Sequence, residues 1–133
     1  MKVENIKFKA KRRDNGEWVE GSIIHKNNGV YVYNPQIVNK RGYSVQSIKV
    51  DHLTVCQFTG MKDVNGEELY ENDIITAKTI LGIELKGKII YLNACYFLGI
   101  MDEQGREKAI RELWRLVDIC RKGSVLDKED NHE

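Results

Sequence analysis

One proline, Pro35, stands in 133 residues, so no proline-rich linker divides the chain. Cysteine is also scarce and odd in number: Cys56, Cys95 and Cys120. No two have the short spacing of a zinc knuckle or a redox motif. Each lies among apolar neighbours, which favours a buried thiol acting as a small hydrophobe. No apolar run approaches the roughly 20 residues that span a bilayer. The basic N-terminus, MKVENIKFKAKRRD, has neither the apolar core nor the small-residue cleavage site of a secretory signal. A cytoplasmic protein is expected. The chain also lacks a phosphate-cradling glycine loop, a nucleophile elbow and a His-Glu-His metal spacing. No cofactor, metal or catalytic residue is therefore expected.

What is present is ordinary for a folded domain. Hydrophobic residues at 41% and charged residues at 31% exclude a disordered chain. The length is one domain's worth, enough to bury a core without disulfide or metal staples. A single β-rich domain over residues 1–122 is expected, with 123–133 a charged, mobile tail. The net charge of +1 is unevenly laid out. Residues 1–50 hold ten Lys/Arg and four Asp/Glu, and residues 51–133 hold eleven and sixteen. The resulting +6 and −5 fit a basic face for nucleic acid, attraction between copies of the chain, or a mixed solvated surface.

Along the chain, Ile6 to Lys11 alternates apolar and basic residues, the period of a half-buried strand. Lys7, Lys9 and Lys11, followed by Arg12 and Arg13, can protect a sheet edge or contact nucleic acid. Arg13 to Gly16 turns the chain, and Trp18 to Ile24 makes a second strand interrupted at Gly21-Ser22. After Asn27-Asn28-Gly29, Val30 and Val32 share one face and Tyr31 and Tyr33 the other. Flanked by Lys26, Lys40 and Arg41, the tyrosines suit a single-strand stacking platform, a protein interface, or packing on a neighbouring strand. Residues 34–42 read as a loop, and Tyr43 to Val50 alternates again. Ile83 to Tyr91 reads as a strand with a glycine bulge, and Cys95 to Ile100 as a central strand. Ile110, Leu113, Trp114 and Val117 recur at three and four, which predicts a short helix over about 106–114. A closing strand is expected over about 115–120.

The densest turn and strand signals lie between Thr59 and Lys78. Thr59-Gly60 ends an apolar run, and Asp63-Val64-Asn65-Gly66 predicts a type I′ turn at Asn65-Gly66. Asn72-Asp73 before Ile74-Ile75 predicts a second tight turn, with Asn72 tolerant of the αL region. The run Thr59-Gly60-Met61-Lys62-Asp63, then Asn65-Gly66-Glu67-Glu68-Leu69-Tyr70-Glu71-Asn72-Asp73-Ile74, resembles the most recognisable segment of the YopX family. In that pattern Asn72 stands where glycine is usual. The tight match covers about a sixth of the chain. It gives Thr59, Gly60, Asp63, Asn65, Gly66, Tyr70, Asn72 and Asp73 as its structural motif. The resemblance implies a phage or prophage gene and a small β-barrel-like fold, and no reaction.

Regularly spaced short strands predict a mainly β, or β-rich α+β, fold. The expected form is a small SH3-like barrel or a strongly bent antiparallel sheet with one short C-terminal helix. The expected function is a non-catalytic interaction module of unassigned biological role that associates with itself, with a host or phage protein as the other candidate partner. The alternative is nucleic-acid binding through the basic N-terminal region with Tyr31 and Tyr33. A Mg²⁺-dependent phosphoryl-transfer site on Asp63, Glu67, Glu68, Glu71 and Asp73 ranks third. Those acids fall in and around turns, where they serve backbone geometry. No membrane association is expected.

Overall fold

Turn chemistry, repeated along the chain, sets the strand rhythm of this protein. In the computed structural model, which describes residues 2–43 and 47–127, four loops are built alike. They begin at Asn39, Asp63, Thr79 and Asp102, and each carries a glycine three residues on, with φ of 85°, 83°, 88° and 80° in turn. The first residue's carbonyl accepts the glycine amide, at 2.9–3.0 Å. Its side-chain oxygen accepts the next amide along, from Tyr43, Glu67, Ile83 and Arg106. That is a type I turn closed by an αL glycine. The type I′ turn expected at Asn65-Gly66 is thereby corrected, since Gly66 is at positive φ and Asn65 is not. The side chain of Asp63 competes for the Asn65 and Glu67 amides and selects the other geometry. A two-residue loop with both central residues at positive φ occurs instead at Asn93 (52°) and Ala94 (62°).

The chain divides into two compact units, Met1–Phe58 and Thr59–Glu133. The first contains β1 (Phe8–Lys11), β2 (Trp18–Lys26), β3 (Gly29–Tyr33) and β4 (Ile48–Val50). β5 (Cys56–Lys62) begins in this unit and runs on past its end, with Gly60 at a φ of 87°. The antiparallel order is β4-β3-β2-β1-β5. Ala10, Val32 and Val50 form its buried centre, with Val19, Ile23 and Val30 packed around them. β1 is thus an interior strand, paired on one side with β2 and on the other with β5. Its lysines therefore do not guard an edge, as the alternation alone suggests; β4 borders this sheet.

The second unit holds the continuation of β5 with its neighbour β6 (Glu68–Tyr70), then a five-stranded antiparallel sheet. Its members are β7 (Asp73–Lys78), β8 (Glu84–Leu92), β9 (Cys95–Met101), β10 (Glu107–Glu112) and β11 (Val117–Ser124), in the order β10-β9-β8-β7-β11. Leu69, Ile75, Ile89, Leu98, Leu113 and Ile119 are among the residues of one buried cluster. Each such side chain contributes about 1.5–3 kcal/mol by leaving water. The sheet ends in two different strands, β10 and β11, so it is open and the SH3-like barrel expected from the strand rhythm is not formed.

The C-terminal helix is a second correction. Residues 107–112 form β10, and a single 3₁₀ turn, Leu113–Arg115, leads into β11. The register of β10 on β9 slips between Ala109 and Arg111, leaving Ile110 as the extra residue of a bulge. Leu113 and Leu116 are both buried, because a 3₁₀ turn repeats every three residues. Bulge and turn together imitate a helical spacing. Trp114 and Val117, on the supposed apolar face, are 67% and 42% exposed. The closing strand expected over 115–120 is present as β11. Of the expected mobile tail, Gly123 and Ser124 belong to that strand, Val125 donates its amide to Asn72 and Leu126 is buried, and 128–133 lie outside the described residues.

Candidate functional site

The motif residues of the Thr59–Lys78 stretch are occupied in holding the second unit together. The Oγ1 of Thr59 accepts the Met61 amide at 3.1 Å beside the bend at Gly60. One carboxylate oxygen of Asp63 accepts the amides of Asn65 and Glu67, and the other that of Arg121 in β11, at 2.8–2.9 Å. Burial opposes ionisation of Asp63, but these three amides and the nearby Arg121 charge outweigh it, holding the carboxyl below its usual range. Asn72 takes the αL conformation (φ 70°), donating its amide to Ile89 and accepting that of Val125. Fully buried Asp73 accepts the Tyr70 amide at 2.8 Å and pairs with Arg121 Nε at 3.0 Å. Glu67 lies 3.7 Å from the same guanidinium, and Glu68 accepts the Tyr70 hydroxyl at 3.4 Å. Among the described residues no group of three or more His, Cys, Asp or Glu is placed to hold a metal ion.

The basic and aromatic candidates lie in the first unit. Opposed residues of an antiparallel pair share a face. The registers Lys11↔Trp18, Lys9↔Glu20, Ser22↔Tyr33, Ile24↔Tyr31 and Tyr31↔Lys49 therefore bring lysines and aromatics to one face, opposite Val32 and Ala10. The Lys9 and Lys11 ammoniums stand 4.5 and 5.4 Å from the Trp18 ring centre. Lys7 is 5.0 Å from that of Phe58 and 3.9 Å from Glu20. Lys26 covers Tyr31 at 4.5 Å, while Tyr33 is 40% exposed. Arg12 pairs with Asp14 at 2.8 Å, and this hydrogen bond first of all lowers the Asp14 pKa. Lys40 and Arg41 are exposed in the Asn39 turn, and Arg13 lines a separate cleft with Lys26 and Lys49.

An apolar groove in the second unit was not legible as such in the sequence. Ile80 (83% exposed) and Leu81 (87%) occupy the tip of the Thr79 turn, beside Ile83, Trp114 and Val117. Together they line a cavity of about 660 Å³ that also takes in Arg111 and Arg115. The Arg115 guanidinium lies 5.5 Å from the Trp114 ring centre and 3.7 Å from Glu112. The available signal was local. The other turns of this type carry Lys40-Arg41, Val64-Asn65 and Glu103-Gln104 at the same two positions. Only Thr79-Ile80-Leu81-Gly82 places two large apolar residues at a turn tip.

Among the described residues no helix is long and apolar enough to cross a membrane. No curated protein matches this chain. The family whose model does match is the one described as YopX protein, aligned over residues 2–121. The match takes in both strand systems as well as the Thr59–Ile74 motif, and this chain belongs to the YopX family.

Proposed function

We propose that this protein is a non-catalytic interaction module of a phage or prophage, acting in the bacterial cytoplasm and associating with copies of itself. The observation that carries the reading is the apolar groove of the second unit. Five large hydrophobic side chains, Ile80, Leu81, Ile83, Trp114 and Val117, stay substantially exposed around it. Contiguous exposed apolar surface marks an interaction site, whereas scattered single residues do not.

A second copy is the occupant that the charges favour. Arg111 and Arg115 sit beside the groove, and the sequence from residue 51 onward carries sixteen acids against eleven Lys/Arg. Carboxylates carried by another copy can pair with the arginines beside the groove. Association through sheet edges is the weaker route. β10 carries a bulge and β11 two register shifts, with Asp118 at a φ of 54°, and such irregularities blunt an edge. Nucleic-acid binding through Lys7, Lys9, Lys11 and the tyrosines ranks second, because those lysines already lie over Phe58 and Trp18. Phosphoryl transfer ranks last, since Asp63 and Asp73 are spent on amides and Arg121.

The two tryptophans, Trp18 and Trp114, allow a direct test. In a Trp18→Phe background all indole emission comes from Trp114. Burial in a dimer shifts that emission to the blue as protein concentration rises. Emission that stays constant and water-like at every concentration would remove Trp114 from any contact between copies.

A further inference from the structure

At one end of the first unit's sheet lies a cleft of about 300 Å³ lined by Arg13, His25, Lys26, Lys49 and His52, with no Asp or Glu in its wall. Backbone pairing brings these residues together. Lys26 is opposite Gly29 at the β2–β3 turn, and Tyr31 opposite Lys49. The Arg13 amide donates to the Lys49 carbonyl at 3.1 Å. Gly29 has a direct part in this arrangement: a Cβ there would lie 2.7 Å from Lys49 Cε, so its absence leaves room for the lysine stem. Of the acids next to cleft residues in sequence, Asp14, beside Arg13, pairs with Arg12 at 2.8 Å, and Asp51, beside His52, is turned to the Leu53 amide at 3.0 Å. Among the described residues neither Arg13 nor Lys49 has a carboxylate partner, in contrast to Arg12 with Asp14 and Lys7 with Glu20.

We propose that this cleft binds a phosphate group. Three basic side chains and two imidazoles in a wall without carboxylates form a site of one sign, which concentrates anions. Arginine offers a planar fork that matches phosphate oxygens, and the lysines act as point charges beside it. The imidazole N–H groups of His25 and His52 add donors. Asn27 and Asn28 complete a polar wall. The cleft suits free phosphate or a nucleotide phosphate, and equally a phosphodiester of a nucleic-acid strand. It lies in a different unit from the apolar groove, so it stands whether or not the chain self-associates.

The test uses the full chain, a fluorescent single-stranded oligonucleotide, and inorganic phosphate and ATP as competitors and as ligands in calorimetry. Binding to the oligonucleotide is measured at about 50 and about 200 mM salt, since phosphate contacts weaken steeply over that range. Arg13→Gln/Lys49→Gln is expected to lose about tenfold or more in affinity for whichever probe binds, and Lys108→Ala, on exposed β10, to lose none. Both changes are at the surface, and matching melting midpoints confirm that the fold is kept. If the double variant melts early, Lys49→Gln alone replaces it. Phosphate or ATP binding identifies a small-molecule source, and oligonucleotide binding that phosphate does not displace identifies a nucleic acid. Failure of every probe at low salt, or an equal loss in Lys108→Ala, overturns the proposal.

Discussion

Single residues hold this chain where general propensity does not. Gly66 sits at a φ of 83°, and a β-branched side chain there is forced into the αL region. Gly66→Val should cost more than about 1 kcal/mol, read as a lower denaturation midpoint. Ala94 is the converse case: a Cβ is already present at a φ of 62°. Ala94→Gly should stabilise the protein by about 0.5–1 kcal/mol, despite the larger chain entropy that glycine gives the unfolded state. Asp63→Asn loses an acceptor facing the Arg121 amide and should cost about 1–3 kcal/mol at neutral pH. Because the Asp63 carboxyl is held below its usual range, its contribution is present above the unfolded value of 3.8 and is lost as pH falls through the folded value. Acid denaturation should be shallower in the variant. At the alkaline end, burial raises the Tyr96 phenol to about 12, with Glu71 and Tyr91 adding to it. The unfolded chain gives up that proton from about pH 10, so stability declines between there and about 12. The buried hydroxyl has no partner among the described residues, and Tyr96→Phe should remove this decline without loss at neutral pH.

Among elements, alternation and turn residues were legible, and interruptions were not. The outward tyrosines and inward valines of β3 follow from a period of two. Asn72 at positive φ follows from its side chain and its place in the motif. The Asp63 turn was readable as a turn, but its type depended on which amides the carboxylate captured. Near the C-terminus one extra residue, Ile110, and one 3₁₀ turn shifted a strand pattern into a helical one. Pattern arguments assume an unbroken element, and a bulge removes that premise. The position of β1 inside its sheet depends on its pairing with β5, a long-range contact that no local pattern encodes. Glycines at close strand approaches give an element-scale test. A Cβ on Gly87 would lie 2.3 Å from the Gly99 carbonyl oxygen of β9. Gly87→Ala should destabilise by about 1–3 kcal/mol, since backbone on both sides of β8 leaves little room to yield. A melting midpoint equal to that of the wild type would show that β8 and β9 lie farther apart.

For the whole molecule, the candidate surfaces differ in how far they were readable. The basic, aromatic character of the first unit was visible in sequence, because like residues recur at period two within short strands. The cleft of Arg13, Lys26 and Lys49 was not, since it joins three segments separated along the chain. The groove was hidden for the same reason, with Ile80 and Leu81 on one turn and Trp114 on another. Charge asymmetry was plain in the composition, and the groove gives it a place to act. A symmetric dimer is the commonest closed product of such association, and Trp114→Asp removes the largest apolar side chain of its contact and puts a solvated carboxylate there. Sedimentation equilibrium over a wide range of protein concentrations, at low and moderate salt, measures this directly. Self-association through the groove predicts a mass rising from 15.4 kDa toward twice that value in the wild type, and 15.4 kDa throughout for Trp114→Asp. A wild-type chain that stays at 15.4 kDa under all these conditions, or a Trp114→Asp chain that dimerises as the wild type does, would contradict it.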